Sequence, residues 1–236
     1  MTHATPTIIR HEHRALSAML RSTLLLLGKH RQRGTLPDFG ALRAMLFYVD
    51  EFPEKLHHPK ESLLLFPKLR GHSAPTDAVL DRLDRDHARG EHLVRGLEHA
   101  LLGFEMMGET DQHEPRRANF ETAMTLYVRF YLEHMHIEET QVLPLAEALL
   151  GAADWAELDA AFLANRDPLA GHDAVAAYQP LFTKIIAALP ASSDLGSVLE
   201  ALAGVAAPKY SRAMHEPTCA NQGQAGVLDA DQIPGA

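Results

Sequence analysis

Apolar side chains recur along this chain every three to four residues almost without a break, and runs of alternating β-branched residues are absent. That spacing predicts helices. The first covers about residues 7–31, with Ile9, Leu16, Leu20, Leu24 and Leu27 on its inner side. The polar stretch 34–38 is a turn, with Asp38 placed to cap the next helix. A second helix runs to about residue 69, interrupted or kinked at Pro53 and Pro59, because proline removes a backbone donor and crowds the preceding turn. Residues 71–75 form the next turn, with Thr76 as a candidate cap, and a third helix follows over about 77–107. After a polar loop at 108–113, a fourth covers about 115–150 and stops at Gly151. Long helices joined by short loops predict an all-α fold, an up-down-up-down four-helix bundle over residues 1–151. Additional short C-terminal helices at about 154–164, 174–189 and 194–206 predict an extension, 152–207, packed on the bundle. Pro, Gly, Asn, Gln and Asp dominate from residue 208, so 208–236 is expected to be a loosely ordered tail.

Composition narrows the class. With 236 residues, 46% apolar and 22% charged, the chain can bury one core and is neither disordered nor a coiled-coil rod. A formal net charge of −9 argues against a dedicated nucleic-acid surface. The longest leucine run is Leu24 to Leu27 and the N-terminus has no signal-peptide core, so no membrane span is expected and the default location is the cytoplasm. A single cysteine, Cys219 in the expected tail, excludes a disulfide framework and a thiolate-held zinc or iron–sulfur site within one chain. Metal chemistry here falls to imidazole and carboxylate, and the chain has fifteen histidines to draw on.

Their spacing is more informative than their number. The second helix carries His57-His58-Pro59-Lys60-Glu61 and the fourth His134-Met135-His136-Ile137-Glu138. Each is a His-x-x-x-Glu, which puts both side chains on one helix face a turn apart. Pro67 and Pro144 lie ten residues after His57 and His134, so the pattern is a duplicated helix, His-x3-Glu-x4-[Phe/Leu]-Pro. Glu12-His13 on the first helix and Asp86-His87 on the third form a second matched pair. Measured from the intervening turns, His13, His57, His87 and His134 fall at one height in an antiparallel bundle. Four histidines and two glutamates exceed what one tetrahedral zinc needs and suit two first-row metals bridged by the carboxylates. Buried without a cation, Glu61 and Glu138 would each cost several kcal/mol.

The segments Glu12-His13-x-x-Leu16, His57-His58-Pro59-Lys60-Glu61 with Leu65-Phe66-Pro67, Asp86-His87 and His134-x-x-x-Glu138-Glu139 resemble the hemerythrin-like (HHE cation-binding) family. The resemblance covers about residues 7–150. It implies a non-haem di-iron centre (two Fe ions, with Mn or Zn as substitutes) liganded by His13, His57, Glu61, His87, His134 and Glu138. It also implies a small-molecule partner: O2, NO or peroxide. The oxygen-carrying members have His-x-x-x-His on the third helix and His-x-x-x-x-Asp on the fourth, where this chain has His87-x-x-x-Glu91 and His134-x-x-x-Glu138. The chain thus looks more like members implicated in nitric oxide or peroxide response and in iron–sulfur repair. No N-terminal accessory domain of the repair type is expected from these residues, so repair is not carried over.

Other readings were weighed. A ferritin-like register, Glu54-x-x-His57 with Glu133-x-x-His136, is out of phase with the internal repeat. A metal-free interaction module and a non-catalytic sensor or iron store are the other classes. His58 and His136 are alternative ligands or outward-facing groups. Glu91 is an extra ligand, an orienting partner or a surface group, and Glu139 is expected to orient rather than bind. Tyr127, Tyr131, Met106, Met107, Met124 and Met135 are expected in the core, with the lining of a small-molecule pocket as the alternative for the tyrosines. The C-terminal extension carries no motif. Cover for one end of the bundle, a homodimer contact and a docking surface all stay open for it.

Overall fold

The computed structural model describes residues 3–170 and 176–188, and among these there is helix and no strand. Helix α1 is Ala4–Arg33. Helix α2 spans 39–69. Helix α3 is Ala74–Met106, and α4 spans 113–149. Two shorter helices follow, α5 (Ala152–Leu163) and α6 (Gln179–Ala188). The first four form the expected bundle. The further helix expected at 194–206, the tail and Cys219 lie outside the described residues.

The caps explain where the helices begin and end. Gly34 closes α1 in the left-handed region (φ 60°), where a side chain would be strained. Asp38 accepts from the Ala41 N–H at 2.9 Å, as expected. The cap of α3 is Ser73, which accepts from the Thr76 N–H at 3.2 Å; Thr76 itself is the third residue of the helix rather than its cap.

Proline does not break α2. Three stretches widen to π-helical turns: Asp50–His57, Glu61–Leu65 and, in α4, Glu138–Val142. Each ends two residues before a proline, at Pro59, Pro67 and Pro144. A proline cannot donate to the carbonyl four residues back and its ring crowds that carbonyl, so the preceding turn opens and takes in an extra residue. The duplicated sequence pattern is therefore a duplicated α–π–α helix. The extra residue shifts the inward face by one place, which lets the consecutive pairs Leu65-Phe66 and Val142-Leu143 both be buried.

The core comes as two apolar clusters. One holds Leu16, Leu20, Met45, Tyr48, Val94, Leu101, Phe104, Phe120 and Met124. The other holds Ile9, Leu65, Phe66, Leu69, Leu80, Leu83, Leu143, Trp155, Leu158 and Phe162. Along all four bundle helices the chain passes from one cluster to the other through a short polar stretch, and those stretches lie at a common level. Met124 and Met135 are core residues as expected, whereas Met106 and Met107 are exposed at the end of α3. Helix α5 lays Trp155, Leu158 and Phe162 into the second cluster, and α6 puts Phe182 and Ile185 into the first. No helix among the described residues is long and apolar enough to cross a membrane.

Candidate metal centre

All six residues singled out from sequence meet in the polar layer between the two clusters. His13 and His57 are 4% exposed, His87 8%, and His134, Glu61 and Glu138 1%. The imidazoles come in two pairs. His13 Nε2 lies 3.2 Å from His57 Nε2, and His87 Nε2 lies 3.0 Å from His134 Nε2. The carboxylates join the pairs. Glu61 puts one oxygen 3.1 Å from His57 Nε2 and the other 3.5 Å from His87 Nε2. Glu138 puts Oε2 3.3 Å from His13 Nε2 and Oε1 3.1 Å from His134 Nε2. None of these four buried oxygens has a hydrogen-bond partner.

Three of the four histidines are hydrogen-bonded from behind by a residue on the neighbouring helix. His57 Nδ1 meets Glu12 Oε2 at 2.6 Å, and His13 Nδ1 meets Glu139 Oε1 at 3.0 Å. His87 Nδ1 meets Ser62 Oγ at 2.8 Å, and His134 Nδ1 lies 3.7 Å from Asp86 Oδ2. An ionised carboxylate only accepts, so Nδ1 must carry the proton at His57 and His13. Ser62 donates to Asp84 Oδ1 at 2.6 Å, which leaves its oxygen to accept from His87. The Nε2 lone pairs are thereby aimed inward, as metal-ligating imidazoles require.

The neighbours follow one order round the bundle: α1 holds the histidine of α2, α2 that of α3 and α4 that of α1, while Asp86 of α3 lies beside the α4 histidine without a hydrogen bond. Each support is the sequence neighbour of a predicted ligand, in Glu12-His13, Glu61-Ser62, Asp86-His87 and Glu138-Glu139. Successive residues on a helix point roughly 100° apart, so the neighbour of an inward group faces sideways, toward the next helix. Sequence singled out Glu12, Asp86 and Glu139 but not which histidine each serves, and it missed Ser62.

Electrostatics give the same picture. Burial pushes the His13, His57 and His134 imidazoles down, but the surrounding carboxylates outweigh it. All three are raised, His134 to about 10. The layer draws positive charge inward, and in the free protein protons supply it. The residues fit a cation: one could replace those protons beside the orphaned oxygens, and imidazole nitrogen and carboxylate oxygen donors suit a first-row metal.

The hemerythrin HHE cation binding domain matches residues 5–146. The chain belongs to that family. No significant match was found among curated proteins or among solved structures. The HHE domain thus accounts for the four bundle helices, while α5, the segment after it and α6 lie beyond the matched span.

The remaining candidates separate cleanly. Glu91 is exposed and pairs with Arg95 at 3.2 Å, and His136 is exposed. The ferritin-like register is not assembled, because Glu133 also faces solvent, in an ion pair with Arg82. His11, His72, His92 and His99 are exposed, and His30 and His113 half-buried; His172 and His215 lie outside the described residues. His58, by contrast, is buried against the centre. Tyr127 and Tyr131 are buried too, and both hydroxyls donate to Glu54. Burial lifts the Glu54 carboxyl to about 7 against the pull of those two hydroxyls. Asn165 and Asp167, beyond α5, also reach the layer, and no sequence signal pointed to them.

Proposed function

We propose that the HHE domain holds a non-haem di-iron centre that binds or reacts with a small ligand, namely oxygen, nitric oxide or a peroxide. His13 and His57 would hold one ion, His87 and His134 the other, with Glu61 and Glu138 bridging. What carries this reading is the set of four buried, hydrogen-bond-free carboxylate oxygens, each turned toward imidazole nitrogens. Manganese or zinc can occupy such donors where supply favours them. When bound, a pair of redox-active ions supplies electrons and an open coordination position.

The chain's own contribution is orientation and exclusion. Glu12, Ser62 and Glu139 fix which imidazole nitrogen faces inward at His57, His87 and His13. The apolar clusters on either side keep water from the layer. A cleft lined by Leu16, Phe52, Pro53 and Leu56 leads to His13, His57 and His58, and its apolar walls suit a small uncharged ligand.

Elemental analysis of protein expressed aerobically with added iron tests the reading. About two metal ions per chain are expected, and about one or fewer after Glu61→Ala. Wild-type content below about one ion per chain overturns the di-iron reading. Optical spectra before and after oxygen, peroxide or nitric oxide then identify the ligand. Turnover of that ligand marks an enzyme; binding without turnover marks a carrier, sensor or store.

A further inference from the structure

The two histidine pairs are not equally furnished. Among the described residues, one imidazole beyond the six residues above enters the layer, beside His87 and His134. His58, His87 and His134 each place a ring nitrogen within 4.8 Å of a ring nitrogen of the other two. The His58 ring stacks on His87 (centroids 4.4 Å apart, planes 13° apart) and lies edge-on to His134 at 5.7 Å, so it must tilt off the His87 ring for both lone pairs to meet at one ion. His58 follows His57 directly, and two consecutive helical residues seldom both face inward. Here they do, because His57 ends a widened turn and His58 begins a regular one.

His58 is also braced, as His13, His57 and His87 are. Its Nδ1 meets Glu54 Oε2 at 3.1 Å, which leaves Nε2 on the opposite edge of the ring. The other Glu54 oxygen accepts from the Tyr127 hydroxyl at 3.0 Å and from the Tyr131 hydroxyl. The third helix makes room for this brace at Gly90. A Cβ there would collide with the Tyr131 hydroxyl and sit 3.0 Å from Glu54 Oε1. A glycine inside a helix costs up to about 1 kcal/mol, and here its space is taken by the group that fixes Glu54. Glu91, one turn beyond His87, is exposed and bound to Arg95, so α3 brings no second donor to this side.

We propose that His58 is a fifth imidazole ligand of the metal centre, serving the ion held by His87 and His134, with Glu54, Tyr127 and Tyr131 as its positioning residues. This rests on the two-ion reading above. The two ions would then differ: two imidazoles on the His13 side, three on the His87 side.

The test uses the full chain, stripped of metal and reloaded anaerobically with ferrous iron. X-ray absorption at the iron edge counts imidazoles, and a chelator reports release of each ion. His58→Ala removes the donor, and His58→Phe removes it while keeping a ring stacked on His87 and Tyr131, so a folding defect in the first leaves the second informative. Both variants are expected to show one imidazole fewer than wild type. One of the two ions should leave roughly tenfold faster, the other at the wild-type rate. Free imidazole should restore slow release in His58→Ala and not in His58→Phe. Unchanged imidazole counts and release rates in both variants, with wild type holding two ions, overturn the His58 assignment alone. Wild type holding less than about one ion overturns the parent reading and this one with it.

Discussion

Asn165 touches none of the four paired histidines, yet one of them depends on it. Its Nδ2 donates at 2.9 Å to Glu12 Oε2, the oxygen that holds His57 Nδ1, and its Oδ1 accepts from Lys60 Nζ. Next to it Arg166 is held at φ 49°, a conformation that costs a non-glycine residue about 1 kcal/mol and here lets Asn165 and Asp167 both turn inward. Asn165→Ala is expected to loosen Glu12 and raise metal release from the His13 side roughly tenfold, read by chelator competition. Unchanged release would make Asn165 a packing residue only. Asp167 gives a pH signature. Burial lifts its carboxyl from 3.8 to about 7, against the Tyr48 hydroxyl and the Leu169 N–H that donate to it. The folded chain keeps this proton up to about pH 7, whereas the unfolded chain loses it near 4. Unfolding between those values releases a proton, so this group's contribution to stability falls as pH rises from about 4 to about 7 and is level above. Asp167→Asn should remove that slope in metal-free protein and gain on the order of 4 kcal/mol at pH 8. Urea denaturation at pH 5 and pH 8 measures it, and equal gains at both would refute the linkage. Gly90→Ala should destabilise by about 1–3 kcal/mol through the clash with Tyr131, despite alanine's better helix propensity. A stabilised variant would show that the hydroxyl has room to move.

At the scale of elements, periodicity in the sequence was enough to place the four long helices, because each buries a stripe against the same core. The wide turns were not legible as such. A proline inside a helical pattern signals a break, a kink or an opened turn alike, and the packing of residues on either side decides which. In α2 and α4 the flanking pairs Leu65-Phe66 and Val142-Leu143 are anchored in the second cluster, so opening the turn keeps every inward group buried. Helix α5 looked motif-free from sequence but closes this end of the bundle. Phe162 is fully buried and meets the His57 ring edge-on at 5.8 Å. Phe162→Ala is expected to cost about 3–5 kcal/mol of stability, measured by chemical denaturation. A loss under 1 kcal/mol would show α5 to be a loosely held appendage.

For the whole molecule, the polar layer is a stored electrostatic cost. Two carboxylates lie between apolar clusters with no hydrogen bond, and in the free protein only raised imidazoles balance them. Binding a cation there couples directly to folding. With free iron at a hundred times its dissociation constant, each occupied site adds about 2.7 kcal/mol. For a chain of this size two sites should lift the melting temperature by roughly 10–20 °C, reversed by chelation. Calorimetry with and without metal tests this, and identical transitions would count against a buried cation in the layer.

By itself the sequence determined the four long helices, their up-and-down order and the common height of His13, His57, Glu61, His87, His134 and Glu138. These follow from local rules: the 3.6-residue period, the reach of short loops, and a four-residue step that stacks two side chains. It also carried the family. Only the tertiary structure decided which neighbour holds which imidazole, because supports such as Glu12–His57 and Ser62–His87 cross between helices, and helix rotation about its axis is set by packing. The same holds for His58, which local periodicity turns away from the core and a proline-opened turn brings back. It holds most of all for Asn165, joined to Glu12 across more than 150 residues of chain, a contact for which no local pattern exists.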